Sequence, residues 1–295
     1  MIKYKRSISL LTIIIALLSL IASAYGIFSS GGPGRYEFNS RTGDVIQIYG
    51  TGLYQDNSIS LVSQGIAQDI ITIILGVPLL LFSLFLFRKG LFKGKLLLAG
   101  TLGYFLYTYI SYTFLWMYNS MFLVYVILMS SSFYAFTLTL MSFDMKNMKS
   151  YFNEKIPVKF FSGFLFFLAA LLSFMWLGMI INPLLQGTSP VALEHYTTLV
   201  IQAMDLAFVV PTAILAGVLL LKRKPFGYLL ASIITIKGFS MSTALTAMII
   251  GQILAGVVVS PAIVIVFAML NLVIIYLMVL LLKNIKEPNY SSAAM

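Results

Sequence analysis

The chain has 295 residues, 60% of them hydrophobic and only 9% charged, with a formal net charge of +10, one histidine (His195) and no cysteine. A soluble domain carries roughly a quarter charged residues, so this chain cannot cover a water-facing surface. The composition also excludes disulfides, thiol nucleophiles, Cys-based zinc or iron–sulfur sites and bis-His haem.

Apolar runs long enough to cross a bilayer recur along the sequence. The first, Ile8 to Ile27, follows Lys3, Lys5 and Arg6. It reads either as an uncleaved first helix or as a signal peptide ending at Ala22-Ser23-Ala24; apolar character continuing to Phe28 favours the helix. Residues 29–68 form the one long polar stretch and are expected outside the membrane. In it, Arg35–Asn39 and Val45–Tyr49 flank Ser40-Arg41-Thr42-Gly43 as a hairpin would. Ser58 or Ser60 is placed to start a helix that runs on into the membrane.

Seven more runs follow, at about 69–87, 96–116, 120–142, 160–182, 199–221, 226–250 and 261–282. Ser260-Pro261 supplies the last with an N-cap and an N1 proline. The expected fold is an all-α polytopic bundle of eight transmembrane helices. Residues 1–28 hold the first, 69–142 the next three and 160–282 the last four, with a basic loop at 143–159 and a tail at 283–295. With both termini inside, the inner segments carry sixteen of the nineteen Lys and Arg residues and the outer segments only Arg35 and Arg41. That asymmetry obeys the positive-inside rule and predicts a cell-membrane protein with cytoplasmic ends.

The remaining cation, Lys237, lies within an apolar run, as does Asp205. A charge at the bilayer centre costs about 2.5–3.5 kcal/mol on insertion scales, so such groups pair or line a wet cavity. From the basic turn Lys222-Arg223-Lys224-Pro225, helix rise puts Asp205 about 24 Å and Lys237 about 18 Å along antiparallel neighbours, within reach of an ion pair. Asp69 comes out near the Asp205 level. If the sixth helix begins near Ser189-Pro190, then Glu194, Thr198, Gln202, Asp205 and Thr212 share one stripe. The third run has a polar face of Tyr104, Tyr107, Thr108, Ser111 and Tyr112, and tyrosines at that depth need partners for their hydroxyls. The expected polar site therefore comprises Asp205, Lys237, Asp69, Gln202, Tyr104, Tyr107 and Tyr112. It reads either as a cavity or as hydrogen bonding that holds the bundle together. Asp69, Pro78 and Arg88-Lys89 echo Asp205, Pro211 and Lys222-Arg223. Either the halves are a four-plus-four repeat, or any such helix before a basic loop looks alike.

Three passages carry a likeness: Gly52-Leu53-Tyr54-Gln55-Asp56 with Gln68-Asp69 and Gly76-Val77-Pro78; Gly103-Tyr104-Phe105-Leu106-Tyr107-Thr108-Tyr109; and Asp205 to Pro211 with Lys224-Pro225-Phe226-Gly227-Tyr228. Together the chain from Gly52 onward resembles a group of uncharacterised prokaryotic multi-pass membrane proteins. The resemblance implies a shared eight-helix architecture and brings no activity. Microbial rhodopsins carry their lysine on the last helix and intramembrane aspartyl proteases need Gly-x-Gly-Asp; neither pattern is present. The leading expectation is a transporter or permease. The alternatives are an intramembrane enzyme using Lys237 and Asp205, and a structural or sensory component. The partners implied are the lipid bilayer and a small-molecule or ion substrate; nothing points to nucleic acid, a metal or a cofactor.

Overall fold

The computed structural model describes residues 3–40 and 43–287; Arg41 and Thr42 of the expected hairpin turn and the tail from 288 lie outside them. The described residues form eight long helices: α1 Lys5–Phe28, α2 Ile59–Arg88, α3 Phe92–Phe114, α4 Phe122–Met141, α5 Val158–Gln186, α6 Val200–Leu221, α7 Pro225–Leu254 and α8 Pro261–Lys283. Between α1 and α2, strands β1 Tyr36–Asn39 and β2 Val45–Ile48 pair antiparallel, with Phe38 opposite Ile46.

Seven of the eight helices are long and apolar enough to cross a membrane. The exception is α3, whose tyrosines, threonines and serines lower its hydropathy. Its position explains this. It packs against α2, α4 and α7, and is buried along most of its length, Leu96 to Leu98 and Tyr104 to Phe105 included. The outward faces of the other helices expose Leu17, Phe82, Phe174 and Leu272. The bundle is apolar on its outer faces as well as in its core, unlike a water-soluble protein, and encloses a smaller set of buried polar side chains such as Gln68, Asp69 and Asp205.

Helix α2 begins at Ile59, as the Ser58 signal predicts and ten residues before the apolar run opens at 69; Ser58 caps it by accepting the Leu61 N–H at 3.1 Å. Helix α5 runs past 182 to Gln186, with Pro183 inside it, and ends on left-handed Gly187. Helix α6 begins only at Val200, so Glu194 and Thr198 do not continue a helical stripe to Asp205 as expected. They lie in a strap that docks on the polar segment. There the Ser58 N–H donates to the Tyr196 hydroxyl at 3.1 Å, and His195 Nε2 lies 3.0 Å from the Asp56 carbonyl. Ser260 precedes α8 without a side-chain cap, although Pro261 does open the helix.

Helices α2 and α6 share a local build. In each, one wide π-helical turn (Thr72–Gly76, Asp205–Val209) is followed at once by Val-Pro. Proline has no N–H for the carbonyl four residues back, and the wide turn is where that missing bond is absorbed. With Pro78 set on Pro211, both helices end at the same position. Gly90 and Arg223 then coincide at positive φ, 85° and 50°, in the turns that follow. Gly94 and Gly227 coincide as well, and a Cβ on either would collide with backbone of the preceding helix. The register pairs Thr72 with Asp205 and Tyr104 with Lys237; the aspartates do not correspond.

At the basic end, Glu287 reaches back to the start of α3, its carboxylate accepting the Phe92 and Lys93 N–H groups at 2.7 and 2.9 Å. A carboxylate suits a helix N-terminus because it meets both the free donors and the positive end of the dipole. Nearby, Asn153 donates to the Asn284 carbonyl and Lys286 to that of Tyr151, so the 143–159 loop and the end of α8 are clasped together.

At the opposite end, burial in the strap pushes the Glu194 carboxyl above the ordinary glutamate value, partly opposed by a Ser58 hydrogen bond and by His195. A raised folded-state value means that protonation favours the docked strap. Its contribution is full below the ordinary value and is lost as pH rises through the folded value. As pH rises from the ordinary glutamate value through the higher folded value, exchange protection of residues 187–199, corrected for intrinsic rates, is expected to fall. Glu194→Gln is expected to remove that trend.

Candidate functional site

Helix α3 distributes its tyrosines among its neighbours. The Tyr107 hydroxyl donates to Asp205 Oδ1 at 2.8 Å, and the indole N–H of Trp176 on α5 donates to Asp205 Oδ2 at 2.9 Å. Asp205 is 8% exposed and opens the π turn of α6. Lys237 of α7 does not meet the carboxylate. Its Nζ stands 4.0 Å from the centre of the Tyr107 ring, so Tyr107 lies between the two charges that the sequence set in contact. One face of the phenol takes the cation while its hydroxyl binds the anion. The hydrogen bond to a carboxylate pushes electron density into the ring, which strengthens the cation–π contact. Among the described residues, no acceptor is hydrogen-bonded to the Lys237 ammonium, and the residue is only partly buried, so its N–H donors away from the ring are open to a further partner.

Asp69 belongs to a second cluster, on the other side of α3. It is 3% exposed, and it accepts from Tyr54 at 2.6 Å and from Tyr112 at 3.1 Å, with Ser23 as a further partner. Gly26 of α1 is required there, because a Cβ would strike both the Asp69 carboxylate and the Tyr54 hydroxyl. Trp116 closes the cluster, its ring 4.4 Å from Tyr54 and 5.0 Å from Tyr112. Tyr104 meets Gln68 rather than an ion. Gln202 turns away from Asp205, with its Nε2 3.8 Å from Met179 Sδ.

The seven residues expected to form one site thus divide. Asp205, Tyr107 and Lys237 form one array, Asp69 and Tyr112 another, Tyr104 bridges to Gln68, and Gln202 stands apart. Sequence reasoning missed Trp176, Tyr54 and Gly26. Trp176 left a signal: it is one of only two tryptophans in the chain, inside an apolar run that offers its N–H few acceptors. Tyr54 and Gly26 left none, since their roles depend on how the outer segment folds back over α1.

The shared build of α2 and α6 makes the two halves comparable. Where Thr72 and Tyr104 stand, a hydroxyl and a phenol interact as neutral groups. At the corresponding places in the second half stand Asp205 and Lys237, bridged by Tyr107. In that register the charged residues Asp205 and Lys237 stand opposite the uncharged Thr72 and Tyr104. Open recesses are formed elsewhere. One is a recess of about 230 Å³ at the hairpin end, lined by Tyr25, Ser29, Asp56 and Tyr118 among others. Another is a groove of about 320 Å³ at the basic end of α2. Among the described residues, no group of three or more His, Cys, Asp or Glu is placed to hold a metal ion.

No family model, curated protein or solved structure matches the chain, so the likeness to prokaryotic membrane proteins rests on the three passages that carry it.

Tyr107→Phe keeps the ring under Lys237 but removes the donor to Asp205. It is expected to lower stability in detergent by about 1.5–3 kcal/mol, the worth of a hydrogen bond to a charged group. Tyr107→Leu also removes the cation–π contact and is expected to cost about 2 kcal/mol more. Denaturant melts of the two variants measure the difference.

Proposed function

We propose that the chain is a multi-pass integral membrane protein that moves a small anionic solute, with the Asp205–Tyr107–Lys237 array as its binding site. The observation that carries this reading is the Lys237 ammonium. A partly buried cation inside an apolar bundle, with no protein acceptor among the described residues, is ready to take an anionic partner. A carboxylate or phosphate-class group is the complementary ligand. Asp205 does not compete for the lysine, because Tyr107 and Trp176 already engage both of its oxygens.

The π turns support the same reading. They sit within α2 and α6, each directly before a proline, at the level of the charged and polar residues. Broken helices of this kind surround the binding sites of many transporters, since they free backbone groups and allow one half-helix to tilt against the other. Both termini are proposed to be cytoplasmic, with residues 29–58 and the strap on the outer face, on the strength of the sixteen-to-two distribution of basic residues.

The test is a cycle of Asp205→Asn, Lys237→Met and the double variant in proteoliposomes, assayed for uptake of a panel of carboxylates and phosphate esters. Lys237→Met is expected to abolish uptake and also the stabilisation of the purified protein by the same solutes. That stabilisation amounts to about 2.7 kcal/mol at a hundred times the dissociation constant. Asp205→Asn is expected to leave binding measurable. A double variant as stable and as active as the wild type would overturn the proposal and leave the array a structural contact.

A further inference from the structure

The groove at the basic end of α2 has two kinds of wall. Leu81, Leu84 and Phe85 form its apolar side, with Leu84 buried and Leu81 and Phe85 about half exposed. Arg88 and Lys89 stand at its mouth. From Leu81 to Arg88 the helix advances about 10 Å, so the apolar wall runs away from the cations along the bundle's outer surface. Lys89 is folded back over the groove, its Nζ 4.3 Å from the centre of the Phe85 ring. Among the described residues neither Arg88 nor Lys89 is paired with a carboxylate. The Lys5 ammonium donates to the Arg88 carbonyl at 2.8 Å, which brings a third cation to the same mouth.

We propose that this groove binds an anionic phospholipid, with its phosphate held by Arg88 and Lys89 and an acyl chain lying along Leu81, Leu84 and Phe85. An unpaired guanidinium presents a fork of donors that matches phosphate oxygens, and the neighbouring ammonium adds a point charge. The apolar wall answers the other part of the ligand. A soluble phosphate would use the cations and leave the wall bare, whereas a phospholipid uses both. Basic pockets beside transmembrane helices at the cytoplasmic surface are suited to such headgroups. This site requires the chain to lie in a bilayer but does not depend on whether Lys237 handles a solute. It lies on the half of α2 beyond Pro78 and the π turn, so an occupant braces that half-helix.

The purified full-length protein in detergent is titrated with phosphatidylglycerol, phosphatidylcholine and glycerol phosphate, with native mass spectrometry counting bound lipid and melting temperature reporting stabilisation. Phosphatidylglycerol is expected to bind and stabilise, and the other two to do neither. Arg88→Gln with Lys89→Gln is expected to weaken phosphatidylglycerol binding by about tenfold or more. Leu81→Trp, which fills the groove and leaves the charges in place, is expected to weaken it as well. It also provides a second measurement if the charge variant folds poorly. Lys222→Gln with Arg223→Gln, in the corresponding turn after α6, serves as the charge-matched control and is expected to change little. An equal loss in that control would reduce the effect to general surface charge, and an equal response to glycerol phosphate would make the site one for soluble phosphate. Unchanged binding in Leu81→Trp would remove the groove from the account. Any of these three results overturns the proposal.

Discussion

A tyrosine hydroxyl inside an apolar bundle must be hydrogen-bonded, or it costs about 1–3 kcal/mol. Helix α3 carries four such groups in nine residues. Tyr104 is satisfied from α2 through Gln68, Tyr107 from α6 through Asp205, Tyr109 from α1 through Ser19, and Tyr112 from α2 through Asp69. Only a central helix can reach that many partners. The remaining helices follow from this requirement: α2, α4 and α7 cover α3, and the more apolar α5 and α8 lie at the periphery. The least membrane-like helix by composition is thus the one around which the others assemble.

The two aspartates illustrate two ways of burying a carboxylate. Asp69 is enclosed by tyrosine hydroxyls and aromatic rings, with no cation in contact, and Gly26 leaves room for nothing more. Asp205 is held by one phenol and one indole and shares its phenol with a lysine. The first arrangement is closed on itself. The second leaves one member, Lys237, with donors in reserve. Because α2 and α6 share their π turn, the Val-Pro that follows and the glycines Gly94 and Gly227 at one register, the contrast can be read at a few side chains. Of these, Thr72 against Asp205 and Tyr104 against Lys237 matter most.

Much of the fold was legible because hydrophobic runs and basic turns are strong, additive signals. The eight helices, the strand pair and the turn before Pro225 were all readable from residues alone. Boundaries that depended on polar residues were legible only in part. Ser58 marked the start of α2, but the strap that holds Glu194 resembled the first turn of a helix. The site was half legible. Depth along a helix follows from its rise, so Asp205 and Lys237 could be brought to one level. The direction of a side chain around the helix, and which third residue stands between two charges, depends on packing across several helices. Tyr107 was therefore recognised as polar and nearby but not as the bridge, and Trp176 went unnoticed because its partner lies on another helix.

The carboxylate of Glu287 at the start of α3 has a consequence for how the protein is made. The residues it caps, Phe92 and Lys93, leave the ribosome nearly two hundred residues earlier, which at ordinary elongation rates is roughly 10–40 s. Throughout that interval the central helix must be inserted and surrounded while its first turn still has free N–H groups facing the basic surface. The clasp between the 143–159 loop and the end of α8 likewise waits for α8 to be made. The cap on the central helix therefore arrives only after all eight helices, and an alteration near residue 287 acts on the helix at the centre.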